Sequence, residues 1–554
     1  MLKLQAMRIP FNVFFLGLAG LFLMGAQDVS AQQQCADRLN FTPVSQPNQI
    51  GWNKFPDFTL PFTVVYGGPR FNDTQASPLR HGFSHLVDIK SNEYGSLVQA
   101  KQHAIVYYGF ATGLNQPWET IESPWENDMN AYYKKWDDFL VGISGGQKNP
   151  AGQYVVSIGR LVIDIERIQE TDTRILRLKQ DVRVPETYRK LADADFVAAY
   201  KRDMRNLYAE GMRYIRQRAD FSKVNVSSYA DTPVLNTYLN IPTFTWADWT
   251  SNLDRVNYLV KKQDGSGIGG PYYDQLDVLS PSAYYFYDYP SPLAEDYLPY
   301  LLFHVEVNRA WSNKPVVPWV WMRYHDTSNT PLKFIQPFMA EATAIFPFFS
   351  GASGLWLWEN PTLGTERNEV FAAYEHFTHG LYRLSRFADM FQGNYELVIE
   401  TPARDLLEKQ LPVWRGVVNG NNILVAAHNS YADDGQKTSV TVRYKSWQQT
   451  IELTGREVYL CRFDMGNVTA TEPILPNVTV SPNPAQTVLA LTFDQIPPAS
   501  TELTLLNTLG QIVVKKAATS KTETVDVASL PNGLYVLRIR KENLIQTKKI
   551  VVAR

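Results

Sequence analysis

The stretch Arg160-Leu-Val-Ile-Asp-Ile-Glu166, "RLVIDIE", is an apolar run closed by two acids with one residue between them. Side chains alternate along a strand, so Leu161, Ile163 and Ile165 share one face while Val162, Asp164 and Glu166 share the other. The two carboxylates then sit side by side, about 6–7 Å apart along the backbone. Two like charges in a low-dielectric site push one of them to keep its proton near neutral pH, which is what a general acid requires. Acids at strand ends also cap helices or pair with arginines, and Arg160 and Arg167 flank this run.

Similar runs recur on both sides: 62–68, a weaker one at 85–90, then 103–110, 233–241, 277–287, 315–324 and 354–360. Helical patterns separate the later ones, over 187–219, 294–311 and 334–348. Seven or eight strands with helical crossovers predict an α/β fold of the TIM-type (β/α) barrel class, in which chemistry sits at the C-terminal strand ends. Asp164 and Glu166 end their strand.

With 554 residues, 45% of them apolar, the chain has material for two or three domains. The formal charge of −2 offers no general attraction to nucleic acid or to an anionic membrane, and no long basic run creates one locally. Residues 1–31 read as an export signal: basic residues, an apolar core too short to span a membrane stably, and a small-residue site ending at Ala31. The barrel is expected over 32–386. From 387 to 472 the pattern turns alternating and turn-rich, predicting an accessory β-sandwich, and 473–554 predicts a second, smaller one. The two cysteines, Cys35 and Cys461, could form a bridge in an exported protein or remain thiols.

The eight histidines lack a helical metal-binding spacing, and no G-x-S-x-G nucleophile turn is present. No metal or other cofactor is expected, and carboxylate chemistry remains. The Gly-rich "QDGSGIGGPYYD" at 263–274 lacks the lysine and hydroxyl of a phosphate loop and reads as a mobile loop at the barrel mouth. The Trp-rich, acidic insertion at 114–140 reads either as a helix packed on the barrel or as a sugar platform.

Four stretches resemble the hyaluronidases, family 56 of the glycoside hydrolases. "PFTVVYGGP" (61–69) is similar to their first barrel strand and "LVIDIE" to their Asp-aromatic-Glu strand end. "LSPSAYYF" (279–286) matches their Pro-Ser-x-Tyr stretch, and the run from His304 through "GASGLWLWEN" matches their last two strands. The resemblance implies Glu166 as acid/base, Asp164 as the residue that positions a substrate acetamido group, Tyr284 as its hydrogen-bonding partner, and Trp358 as a sugar-stacking surface. The nucleophile would then be the substrate's own acetamido oxygen. Ile165 stands where the family has an aromatic residue, and the family's several cysteines are missing. Two other readings stay open: a retaining glycosidase with Glu166 as acid/base and Glu359 as nucleophile, and a non-catalytic glycan-binding surface protein. In each the partner is a polysaccharide.

At the C-terminus, Pro482-Asn483-Pro484, Asn507 to Gly510, "LPNGLY" (530–535) and a basic close resemble the sorting domain of type IX secretion. That resemblance implies the type IX machinery as a partner and a destination outside, or on the surface of, a Gram-negative cell.

Overall fold

The computed structural model describes residues 33–36, 38–69, 77–87, 100–108, 113–165, 171–235, 237, 240–325, 333–359, 368–466, 478–494, 496–497, 500–541 and 544–554. The predicted export signal lies outside them, as do Glu166 and Arg167.

Seven parallel strands form one curled sheet: β1 (Thr63–Gly67), β2 (His85–Val87), β3 (His103–Tyr107), β4 (Arg160–Ile163), β5 (Asn225–Ser228), β6 (Trp319–Trp321) and β7 (Gly354–Trp358). Their order is β5-β4-β3-β2-β1-β7-β6. An extended segment reaches across the two edges: Ser280 bridges parallel to Tyr229, just after β5, while Leu279 and Ser282 bridge to Val316 and Trp319 beside β6. The arrangement is TIM-like. Strands buried on both faces need apolar residues at every position, which is why "TVVYG" and "GLWLW" read as continuous greasy runs. Gly67 is required at the β1–β7 contact, since a Cβ there would lie 2.7 Å from the Leu357 carbonyl oxygen.

The alternation read from "RLVIDI" holds. Val162 belongs to the cluster inside the curl, with Val65, Val87, Ala104, Val106, Trp319 and Trp356. Leu161, Ile163 and Ile165 belong to the outer cluster under the helices.

The expected strand at 233–241 is not one. The fifth strand is Asn225–Ser228, and Ile241–Thr243 forms a short 3-10 turn. Both backbone groups of Val234 are taken by a side chain instead of a ladder: its N–H donates to Asn308 Oδ1 at 2.8 Å and its carbonyl accepts from Asn308 Nδ2 at 3.2 Å. Val234 and Ile241 are apolar because they pack into the outer core.

The major helices are α1 (Met129–Ser144), α2 (Asp193–Arg218), α3 (Tyr297–Trp311), α4 (Pro337–Phe349) and α5 (Ala372–Ser385). Helix α1 starts where Asp128 accepts from Asn130 N and Ala131 N, and it ends at Gly145 in the left-handed region. It covers the latter part of the 114–140 insertion, in which Trp118, Trp125 and Trp136 are at most 6% exposed. Trp125 packs on Phe196 and Tyr200 of α2, Trp118 on Tyr132 of α1, and all three lie in the outer core, so they offer no sugar platform. The Gly-rich stretch is a hairpin, with Lys261 bridged to Ile268 and Lys262 N donating to Gly267 O at 2.9 Å. It folds beside Arg205 of α2 on the outer flank, away from the expected position at the mouth.

The accessory region holds an antiparallel sheet in the order 33–35, 459–464, 422–428, 413–419, 396–398, together with the hairpin 437–444/447–454. Its edge strand, Gln33–Cys35, comes from the start of the described chain and pairs with Cys461–Phe463. Cys35 and Cys461 form a disulfide across that pairing. The sheet is keyed to the curled sheet's helices by Glu306 of α3, whose Oε1 accepts from Arg415 Nε at 2.9 Å and Nη2 at 2.7 Å. Residues 478–552 form a separate pair of antiparallel sheets, of three and four strands, around a core that includes Leu489, Phe493, Leu537 and Ile550. Among the described residues no helix is long and apolar enough to cross a membrane.

Candidate active site

The C-terminal strand ends converge on one mouth. Asp164 continues β4 by one step, its N–H donating to the Tyr107 carbonyl at 3.0 Å. Two residues beyond the interior-facing Val162, its side chain shares that face. Arg160 lies at the opposite end of β4, where Nη2 donates to Thr63 Oγ1 at 2.7 Å. It also adds to the burial that lowers His85 to a pKa of about 4. Arg160 is therefore a plug at the floor of the curl.

Facing Asp164's side of the mouth is an aromatic wall. Trp319 and Trp356 stand in register on β6 and β7, and so do Trp321 and Trp358. A W-x-W pattern on both strands therefore turns four indoles to the interior. Trp319 stacks on Trp356 with centroids 4.7 Å apart, and Trp358 lies 5.5 Å from Trp319. Tyr284, 5% exposed, stacks on His325 at 5.9 Å and lies 5.5 Å from Trp321 and 6.0 Å from Tyr229. Tyr229 in turn contacts Trp319 at 4.8 Å, and its hydroxyl donates to Ser282 Oγ at 3.0 Å. Of the residues singled out by sequence, Asp164, Tyr284 and Trp358 thus share the mouth. Tyr229, Trp321 and His325 were not singled out, although the period-two tryptophans carried a signal for Trp321.

Glu359 is 1% exposed. Its Oε2 accepts from Arg323 Nε at 2.7 Å and from Tyr374 Oη at 3.0 Å, and its Oε1 accepts from Trp321 Nε1 at 3.3 Å. Arg323, also 1% exposed, forms a second ion pair with Glu369. The carboxylate is held by three donors, one of them a buried guanidinium.

A further acid lies beside the end of β4. Asp231 Oδ2 is 2.6 Å from Ser228 Oγ and accepts from Tyr272 Oη at 2.7 Å. Ser228 Oγ also lies 3.1 Å from the Ile163 carbonyl, so this acid is tied to the strand that carries Asp164. Burial pushes Asp231 up to about 6 against the pull of those two hydrogen bonds. Among the described residues no group of three histidines, cysteines or acids is placed to hold a metal ion.

Residues 479–553 match the family described as "Secretion system C-terminal sorting domain". The terminal module is a sorting domain, as its motifs indicated. No curated protein matches the chain. Solved structures similar to it include bee venom hyaluronidase in complex with a hyaluronic acid tetramer, at 18% identity and a TM-score of 0.39, covering 58% of this chain and 98% of that one. An endo-beta-1,4-mannanase of Cellulomonas fimi is similar at 12% identity and a TM-score of 0.29, covering 81% of this chain and 77% of that one. A family 30 xylanase of Clostridium acetobutylicum is similar at 10% identity and a TM-score of 0.31, covering 76% and 98%. At these identities and scores the likeness assigns neither substrate nor mechanism.

Proposed function

We propose that the protein is an exported glycoside hydrolase that cleaves a polysaccharide by a retaining, substrate-assisted mechanism. The observation that carries this reading is the placement of Asp164 on the interior side of a strand's C-terminal end, opposite Tyr284 and the Trp321–Trp358 rung. Glu166 lies outside the described residues, and its role rests on the sequence alternation that gives it the same face as Asp164. Glu166 protonates the glycosidic oxygen as the bond breaks and then takes a proton from the incoming water. Asp164 orients the acetamido group of the sugar whose anomeric carbon is attacked, the Tyr284 hydroxyl bonds to that group, and the sugar on the other side of the broken bond departs. The acetamido oxygen attacks the anomeric carbon from the opposite face, so no protein nucleophile is needed. Trp358 supplies an apolar surface for the pyranose ring.

The alternative with Glu359 as nucleophile is less well supported. That carboxylate is nearly inaccessible and each oxygen already has a donor, so an attack on an anomeric carbon would require it to leave Arg323 and Tyr374. The sorting domain supports delivery across a Gram-negative outer membrane by the type IX machinery, with release or attachment at the cell surface.

The test is a panel of N-acetylhexosamine-containing and neutral polysaccharides assayed for new reducing ends. Cleavage of an acetamido-bearing glycan, lowered about 10²–10⁴-fold in Glu166→Gln, is the expected result. Wild-type rates in Glu166→Gln would return the acid pair to a structural role. Binding without cleavage on every member of the panel would make the protein a glycan-binding one.

A further inference from the structure

Two concavities adjoin on the outer flank of the curled sheet, between α2 and the segment around 254–265. One, of about 530 Å³, is lined by Lys201, Arg202, Arg205, Lys261 and Lys262, with Asp195 as its acid. The other, of about 570 Å³, adds Arg255 and Asn257, with Asp172 and Asp254 as acids. Both share Lys201, Tyr258 and Lys261, so they run together as one elongated trough. Each is within the range of about 300–1,000 Å³ usual for ligand sites.

The lining is cationic in a chain whose net charge is −2. Lys201 is paired with Asp172 and Arg202 with Asp203. Arg205, 6% exposed, bonds through Nε and Nη2 to the Tyr258 carbonyl at 3.1 and 2.9 Å. Among the described residues, Arg205, Lys261 and Lys262 have no carboxylate at ion-pair distance. Burial lowers the pKa of Lys261; Asp254 opposes the shift, and Lys201 and Arg205 add to it.

Asn257 lies in the wall of the same trough. Asn257 is 5% exposed, its Oδ1 accepts from Leu259 N at 2.9 Å, and its N–H donates to the Pro233 carbonyl at 2.8 Å. Among the described residues its Nδ2, itself inaccessible to solvent, has no acceptor. A native interior rarely leaves such a group unmatched.

We infer that this trough is a second glycan site, which takes an acidic oligosaccharide segment through its carboxylate or sulfate groups and is independent of any hydrolysis at the mouth. Lys261, Lys262 and Arg205 meet the anionic groups. The Tyr258 ring lines the trough with Lys201 Nζ over it, 5.9 Å from its centroid, which holds that cation in place. The elongated shape, with cations along its length, suits a polymer better than a single inorganic ion. Its concavity suits a chain better than a flat membrane surface.

The test is calorimetric titration of the full-length protein at low ionic strength. The probes are oligogalacturonates, chondroitin sulfate oligosaccharides and neutral chitin oligosaccharides. The acidic probes are expected to bind, at least tenfold more weakly to Lys261→Gln/Lys262→Gln and to the single variant Lys262→Glu at its exposed position. Binding should persist in Trp358→Ala, which alters the mouth alone. It should fade at about 0.5 M salt, where the screening length is about 4 Å. Absence of acidic-probe binding, binding undiminished in both lysine variants, or loss confined to Trp358→Ala would overturn the assignment. So would capture of anionic lipid vesicles, but of no oligosaccharide, through Lys261 and Lys262.

Discussion

Glu359→Gln separates the two carboxylate mechanisms, and the structure sets the scale of its effect. The substitution keeps the shape and one accepting oxygen but removes a charge that is 1% exposed and bonded to Arg323, Tyr374 and Trp321. Hydrogen bonds to charged groups contribute about 1.5–3 kcal/mol each, and Arg323 keeps Glu369 as a counter-ion. A cost of about 2–3 kcal/mol in stability follows. Arg323→Met is harsher, because it strands Glu359 as a buried unpaired charge, at about 3–5 kcal/mol. Glu359→Gln/Arg323→Met should cost less than the sum of the two. The chain holds more than one hydrophobic core, so the comparison is made on the apparent thermal midpoint of the transition that includes the curled sheet, scanned at one rate. Activity is read well below the lowest midpoint. Under substrate assistance, Glu359→Gln retains activity within a few-fold of wild type. A folded Glu359→Gln protein that loses about 10⁴–10⁶-fold, as removal of a catalytic nucleophile does, would refute the reasoning. Covalent labelling of Glu359 by an activated fluoro-sugar would refute it too. An Arg323→Met variant no less stable than Glu359→Gln would refute the ion-pair account separately.

Three other outcomes follow from the structure. Asp231 holds its proton up to about pH 6 when folded but releases it near 4 when unfolded, so the folded state binds more protons in between. Stability should therefore fall as pH rises from about 4 to 6, by up to about 3 kcal/mol, and Asp231→Asn should flatten that slope in pH-resolved melts. Replacing Cys35 and Cys461 by serine should lower stability by about 2–5 kcal/mol, and thiol titration of the unreduced wild type should find no free cysteine. Deleting residues 478–554 should leave the rest folded and as active as the full chain, because that module has its own core; a soluble, inactive truncation would contradict this.

Much of the curled sheet was legible because its strands are buried on both faces, which forces runs such as "TVVYG" and "GLWLW" that no amphipathic helix would tolerate. The fifth strand was not. "NVSS" is short and mostly polar, its Ser228 hydroxyl serving Asp231 and Ile163, while the greasier 233–241 lies over the outer core with Val234 bonded to Asn308. At the mouth, alternation placed Asp164 on the interior side from seven residues of sequence. The hold on Glu359 was illegible because its guanidinium comes from just past another strand, 36 residues earlier, and local pattern carries no record of that register. Asp231 was missed for a similar reason: its tyrosine partner is 41 residues away in sequence. The tryptophans of 114–140 have the composition of a sugar platform, and only their burial in the outer core shows otherwise.

The strand Gln33–Cys35 closes the accessory sheet from 426 residues upstream of its covalent partner. A recombinant fragment trimmed to begin near residue 50, the obvious choice for isolating the barrel and accessory domains, would discard that strand. Tyr459–Asp464 would then become the sheet's edge, with unsatisfied N–H and C=O groups and a bare Cys461 thiol along it. Two such fragments could pair edge to edge and cross-link through Cys461, giving a covalent dimer absent from the intact chain. A laboratory that finds such a dimer should suspect its choice of start codon before the protein's natural assembly.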